Sequence, residues 1–151
     1  MKNNQYSGKT IEQRFWEKVG PHDDPTKCWL WTAHSVGRGK LRYGRFWDGD
    51  KRVLAHRFSY EMHHRVIIPE GMTIDHVKAR GCTSTLCVNP HHLEVVTNKV
   101  NILRGGSFAA LEAKVTHCPQ GHPYTKENTR LSSDAKRHCR ACNRERYHAK
   151  K

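Results

Sequence analysis

Six cysteines fall in two groups along this 151-residue chain, and their distribution constrains the fold more than any other feature. Cys139 and Cys142 form a C-x-x-C, and Cys118-Pro-Gln-Gly-His122 lies upstream. Two ligands at each end of a loop are a strong signature of tetrahedral zinc. Cys118, His122, Cys139 and Cys142 are therefore expected to hold one structural Zn²⁺, with His117 and His138 as rivals for His122. The flanks show no βαβ pattern, which disfavours a redox motif or a disulfide. In the second group Cys82, Cys87 and His92 are evenly spaced, each separated from the next by four residues. They read as three ligands of a second Zn²⁺ on one loop. Cys28 is the cysteine left over and is assigned as the fourth ligand; a free, buried Cys28 and a His91 ligand are the alternatives. Hydrophobic residues make up only 36% of the chain, so the apolar core is thin, and metal staples fit that shortage.

No apolar run follows the first residues. The expectation is no signal peptide, no membrane span and a reducing intracellular compartment in which the thiols stay free for metal. Lys and Arg number 27 against 14 Asp and Glu, a net charge of +13. That excess predicts a polyanionic partner. The basic residues are interleaved with Trp, Tyr and Phe rather than confined to a tail, which points to nucleic acid; simple solubility is the plainer reading.

Residues 1–9 are polar and without period. Thr10 and Gln13 form a capping box before Ile11, Phe15 and Val19, a helix ended by Gly20-Pro21. Residues 28–32 and 43–47 read as strands with a Gly-rich basic loop, 36–42, between them. Asp48-Gly49-Asp50 then turns into a third strand over residues 51–55. The expected antiparallel sheet would carry its basic side chains on one face and lay them into a DNA groove. Arg38, Lys40, Arg42, Arg45, Lys51 and Arg52 are the candidate contacts. A short helix over residues 56–64 contains Arg57. Residues 72–76 and 93–96 read as paired strands, and Thr97 caps a helix through Arg104. Residues 105–116 read as a linker with a helical piece at 107–114. Residues 117–143 form a zinc module and 144–151 a basic, frayed tail. Arg137 and Arg140 are candidate DNA contacts in that module.

The stretch from Ile74 to Asn101 carries the chemistry. An imidazole titrates near neutral pH, so His76 is a candidate general base on water. Asp75 and Asn101 offer hard oxygen ligands suited to Mg²⁺, which can serve as Lewis acid at a phosphodiester. Arg57 is a candidate for holding the product phosphate, with a solvated arginine as the alternative.

The run Asp75–Asn101, ending NPHHLEVVTNKVN, resembles an HNH (ββα-metal) endonuclease motif of the phage and intron type. Upstream, FWEKV, CWLW, AHRFSYE and IPEGMTIDH are similar to the same subfamily, so the likeness covers residues 12–104. The spacing of Cys82, Cys87, His92 and Asn101 also resembles the zinc-bearing His-Cys box homing endonucleases, which take a fourth zinc ligand from an upstream cysteine. The resemblance implies an α+β protein: a ββα-metal core with an N-terminal antiparallel sheet, stabilised by zinc, and a small C-terminal zinc module. It makes His76 the general base, Asn101 a Mg²⁺ ligand and Asp75 a second one. The C-terminal cluster resembles zinc-finger tails found after some phage HNH domains. Two departures stand out. The position of the motif's central Asn is occupied by His92, which reads as a zinc ligand. That leaves a backbone carbonyl as the expected group orienting His76. The gap from His76 to Cys82 is also longer than in the His-Cys box.

The functional expectation is a metal-dependent DNA endonuclease, homing-type or restriction-like, acting on double-stranded DNA as a monomer or a homodimer. A non-catalytic zinc-finger DNA-binding protein is the alternative, and an RNA-acting nuclease a third.

Overall fold

A core of aromatic rings clasps the N-terminal half. Phe15 is fully buried and packs its ring at 5.0–5.3 Å from those of Trp16, Trp31, Phe46 and Phe58. The computed structural model describes residues 8–149; most of the polar 1–9 stretch lies outside the described residues, as do the last two lysines. The chain divides into two compact units, Met1–Asn101 and Ile102–Lys151. It is a mixed α+β protein, with three small antiparallel sheets among the described residues.

In the first unit, α1 (Ile11–Trp16) opens with the capping box: Thr10 accepts from the Gln13 N–H and the Gln13 side chain accepts from the Thr10 N–H. The helix ends before Val19, which instead bridges to Trp31. Residues 28–32 do not form a ladder strand. Trp31 and Leu30 make isolated bridges, to Val19 and to Cys87. A three-stranded antiparallel sheet follows, with β1 (Ser35–Arg38), β2 (Leu41–Trp47) and β3 (Arg52–Leu54) in sequence order. Part of the stretch expected as a basic loop is thus the β1–β2 hairpin. Gly37 makes this possible: at φ +119° any Cβ would sit 2.0 Å from the Leu41 carbonyl oxygen, so a glycine in this strand is a steric requirement and not a loop signal. Gly44 has a different reason. A Cβ there would lie 2.5 Å from the Trp31 ring, so its absence lets β2 close on the core.

Basic side chains do not share one sheet face. Strand alternation sets Arg42 with the core-facing Gly44 and Phe46, and Arg45 with Tyr43 and Trp47. The sheet therefore lacks the single basic face that the sequence suggests.

Helix α2 (Ala55–His64) follows β3 directly. Its Ser59 is fully buried and donates to the Val88 carbonyl at 2.6 Å, tying the helix to the Cys82–His92 loop. Strands β4 (Met72–His76) and β5 (Leu93–Thr97) pair antiparallel, with Asp75 opposite Glu94 and His76 opposite Leu93. Ile74 and Leu93 pack with Ile68 in a second small core. Helix α3 (Asn98–Arg104) follows at once, and Thr97 Oγ1 accepts from the Val100 N–H.

In the second unit, α4 (Phe108–Lys114) is capped by Ser107. Strands β6 (Thr129–Leu131) and β7 (Arg137–Cys139) form a hairpin that runs into α5 (Arg140–His148). Residues 144–148, expected as frayed tail, are helical. Among the described residues no helix is long and apolar enough to cross a membrane.

Candidate active site and metal centres

The first Cys/His cluster joins two distant segments. The ligand atoms of Cys28, Cys82, Cys87 and His92 all lie within 4.8 Å of one another. Cys28 Sγ is 4.0 Å from Cys82 Sγ and 3.8 Å from His92 Nδ1, and Cys87 Sγ is 3.7 Å from the same nitrogen. A tetrahedron with Zn–S bonds of about 2.3 Å has edges of about 3.8 Å. The four side chains are therefore placed compatibly with a zinc ion, with His92 presenting Nδ1. Cys82, Cys87 and His92 are buried. His91 is instead exposed, with its ring against Trp29 and His63.

Cys28 is delivered by an asparagine that the spacing of metal ligands does not reveal. Asn89 is fully buried, and its Nδ2 donates to the carbonyls of Pro25 (2.8 Å) and Lys27 (2.7 Å). Its Oδ1 accepts from the His91 N–H at 3.0 Å. One side chain thus clamps the segment before Cys28 onto the turn before His92. The Asn-Pro step signals a turn in the sequence, but the long-range half of its hydrogen bonding has no local signal.

The second cluster groups Cys118, His122, Cys139 and Cys142 by the same criterion. His122 Nδ1 lies 3.3 Å from Cys142 Sγ and 3.7 Å from Cys118 Sγ, and the two sulfurs are 3.5 Å apart. His122 Nε2 meets Glu145 at 3.1 Å, the carboxylate–histidine arrangement that orients metal-bound imidazoles. Asn128 supports this centre as Asn89 supports the first. It donates to the Pro123 carbonyl and to Cys139 Sγ, and accepts from the Ala141 N–H.

Thiol acidities follow from these contacts. Cys82 is drawn down to about 4, first by a hydrogen bond from Cys87 and then by His76, with burial opposing. Cys87 moves up through the same hydrogen bond. Cys139 falls to about 6 through the Cys142 N–H, and Cys142 rises to about 12 through desolvation and its neighbouring thiols. In each pair one sulfur tends to thiolate while its neighbour keeps the proton. A divalent cation displaces that proton and takes both as thiolates. All six cysteines are free thiols, so both clusters are available for structural metal ions such as zinc.

His76, at the end of β4, lies beside the first cluster. Its Nδ1 is 3.4 Å from Cys82 Sγ. The partner expected from the sequence was a backbone carbonyl; the contact seen here is a side-chain sulfur. His76 Nε2 is buried and makes no hydrogen bond, as is His56 Nδ1. The two rings are 5.1 Å apart, and the Tyr43 ring lies 5.6 Å from His56 and 6.4 Å from His76. Burial, reinforced by His76 and then Arg57, pushes His56 down to about 3, so it is neutral. Neither His56 nor Tyr43 is marked by any spacing rule, because both reach His76 only through the tertiary fold. His76 also lines a cavity of about 440 Å³ with Lys78, Cys82, Thr83, Ser84 and Thr85. Thr85 Oγ1 donates to the carbonyls of Lys40 (3.2 Å) and Arg42 (2.6 Å), which fixes the basic β1–β2 hairpin to the loop bordering that cavity.

Asp75 is half-buried and stands across the ladder from Glu94, which Arg80 meets at 3.3 Å. Asn101 is half-buried in α3. Neither belongs to a cysteine–histidine cluster. Arg57 donates from Nη1 to the Met72 carbonyl at 3.0 Å, at the opposite end of β4 from His76. Arg38, Lys40, Arg42, Lys51, Arg52 and Arg140 are exposed, and Arg45 is half-buried. Arg137 is engaged within its own unit. It donates to the Val115 carbonyl at 2.8 Å and to the Glu112 carbonyl, and lies 4.6 Å over the Tyr124 ring.

Comparison with known protein families, curated proteins and solved structures returns no match to this chain.

Proposed function

We propose that the chain is a metal-dependent DNA endonuclease with an HNH-like site in which His76 is the general base. The observation that carries this reading is the lodging of His76: its Nδ1 faces Cys82, and it lines a cavity whose Thr85 is hydrogen-bonded to the basic hairpin. With Nδ1 donating to sulfur, the lone pair rests on Nε2; that nitrogen is buried here, so accepting a proton from water attacking phosphorus would require the site to open. Two adjacent buried imidazole nitrogens without hydrogen bonds cost stability. Buried polar atoms left without partners call for a reason, and a catalytic role would supply one here.

The succession β4, metal-cluster loop, β5, α3 supports a ββα-metal core, in which the loop zinc holds the two strands' ends in place. Asp75 supplies a carboxylate and Asn101 an amide oxygen, the hard donors Mg²⁺ prefers. Bound there, Mg²⁺ would stabilise charge on the departing 3′ oxygen. The +13 charge and the exposed basic residues of the hairpin and the second unit supply affinity for the backbone of double-stranded DNA. A homodimer would bring one such site to each strand.

The test is incubation of supercoiled plasmid with the zinc-loaded chain and Mg²⁺, Mn²⁺ or Ca²⁺. Nicked or linear product is expected. Tight binding with no cleavage under any cation would leave a non-catalytic zinc-dependent DNA-binding protein as the reading.

A further inference from the structure

A second cavity, of about 270 Å³, is lined by residues of α1, β2 and β3 and lies apart from the residues around His76. Arg14, Lys18, Arg45 and Arg52 line it, and none of its lining residues is acidic. Lys18 is fixed there, because its Nζ donates to the Arg14 carbonyl at 3.0 Å. Arg45 is fixed by its own backbone, whose N–H donates to the His34 carbonyl at 2.9 Å. Trp47 and Arg52 are register partners across β2 and β3, so their side chains stand together. Trp47 is 47% exposed although it is the largest kind of side chain.

Cations gathered around a cavity repel one another, and an anion between them turns that repulsion into binding. The planar fork of a guanidinium can donate two parallel hydrogen bonds to two oxygens of a phosphate. An open indole beside them offers a stacking face to any base. The two features together select a phosphate carrying a base, a nucleotide, over a bare inorganic anion.

We propose that this cavity is a nucleotide subsite. Lys18, Arg45 and Arg52 grip one phosphodiester of the DNA strand, and the adjoining base stacks on Trp47. DNA as the ligand rests on the proposed function. The subsite and His76 are joined through strand β2. Tyr43, near the His76 ring, is two residues from Arg45 on the same side of β2, about 7 Å along the strand. A base stacks on Trp47 only when it is unpaired, so the subsite prefers a single-stranded or frayed segment to a closed duplex.

The experiment measures fluorescence-anisotropy binding of a labelled deoxythymidine hexamer to the full zinc-loaded chain carrying His76→Ala. Trp47→Ala added to it should weaken binding about tenfold with the salt dependence unchanged. Arg45→Ala with Arg52→Ala should weaken binding further and lower the slope of log K against log salt by about 1. If thermal melting shows that the double substitution disturbs the fold, the exposed Arg52→Ala alone carries the test. Binding equal to the parent in both variants overturns the subsite. A loss with the arginines but not with Trp47 overturns the nucleotide and leaves a phosphate contact. Displacement of the hexamer by an equal concentration of thymidine monophosphate overturns the DNA strand as ligand. Because the hexamer assay reads no cleavage, failure of the plasmid assay and failure of the subsite are separate results.

Discussion

His76 Nδ1 lies 3.4 Å from Cys82 Sγ, so the residue proposed as general base rests on a member of the first metal cluster. A zinc-bound thiolate accepts hydrogen bonds, and one from Nδ1–H holds the ring in the tautomer that leaves Nε2 basic. Metal binding and base orientation are then linked through one sulfur. Replacing Cys82 with His keeps a fourth zinc ligand and removes the sulfur acceptor. Zinc content should stay at two per chain while kcat for DNA cleavage falls about 10- to 100-fold. Unchanged kcat with zinc retained would show that Cys82 does not position His76.

The two metal centres differ in their outer support. His122 has Glu145 on its far nitrogen, whereas the far nitrogen of His92 is buried without a hydrogen bond. Glu145→Ala should therefore weaken one zinc about 10- to 100-fold and leave the other unchanged. Competition with a chromogenic chelator resolves the two, starting from two zinc ions per chain.

Asn89 satisfies two carbonyls from inside the protein. Asn89→Ala leaves the Pro25 and Lys27 oxygens without that donor, and a loss of about 2–4 kcal/mol is expected. Denaturant unfolding of the zinc-loaded chain measures it. Weaker zinc binding at the first cluster should accompany the loss, because Cys28 follows Lys27 directly.

His56 sets a pH dependence. Its folded pKa of about 3 lies below the ordinary 6.5, so below pH 6.5 the unfolded chain takes up a proton that the folded chain refuses. Its stabilising contribution is complete above that pH and declines as pH falls towards 3. Metal release adds to this decline in the wild type. His56→Gln cannot titrate, so the variant should lose less stability between pH 7 and pH 5 than the wild type does. Equal losses in thermal melts would show that His56 is not buried neutral.

Much of the architecture is legible in the sequence where a rule is local. Thr10 and Gln13 announce their capping box by spacing alone, and residues 72–76 and 93–96 read as a strand pair, which the structure extends by Thr97. The ligand sets are legible because cysteine and histidine at short spacing have few other uses. Cys28 was reached only by subtraction, and the structure supplies its reason in the reach of Asn89 across the fold. What stayed hidden is tertiary. Gly37 looks like loop composition until its close approach to Leu41 is seen. Tyr43 and His56 carry no motif, and Arg137 reads as a surface cation although its guanidinium stitches β7 to the end of α4.

Cleavage of supercoiled plasmid by the wild-type chain and by His76→Ala, with DNA binding measured on both, tests the central claim most directly. Wild-type cleavage with Mg²⁺, and a fall of about 10²–10⁴-fold in His76→Ala with DNA binding retained, is the expected result. Cleavage by His76→Ala at the wild-type rate would contradict it.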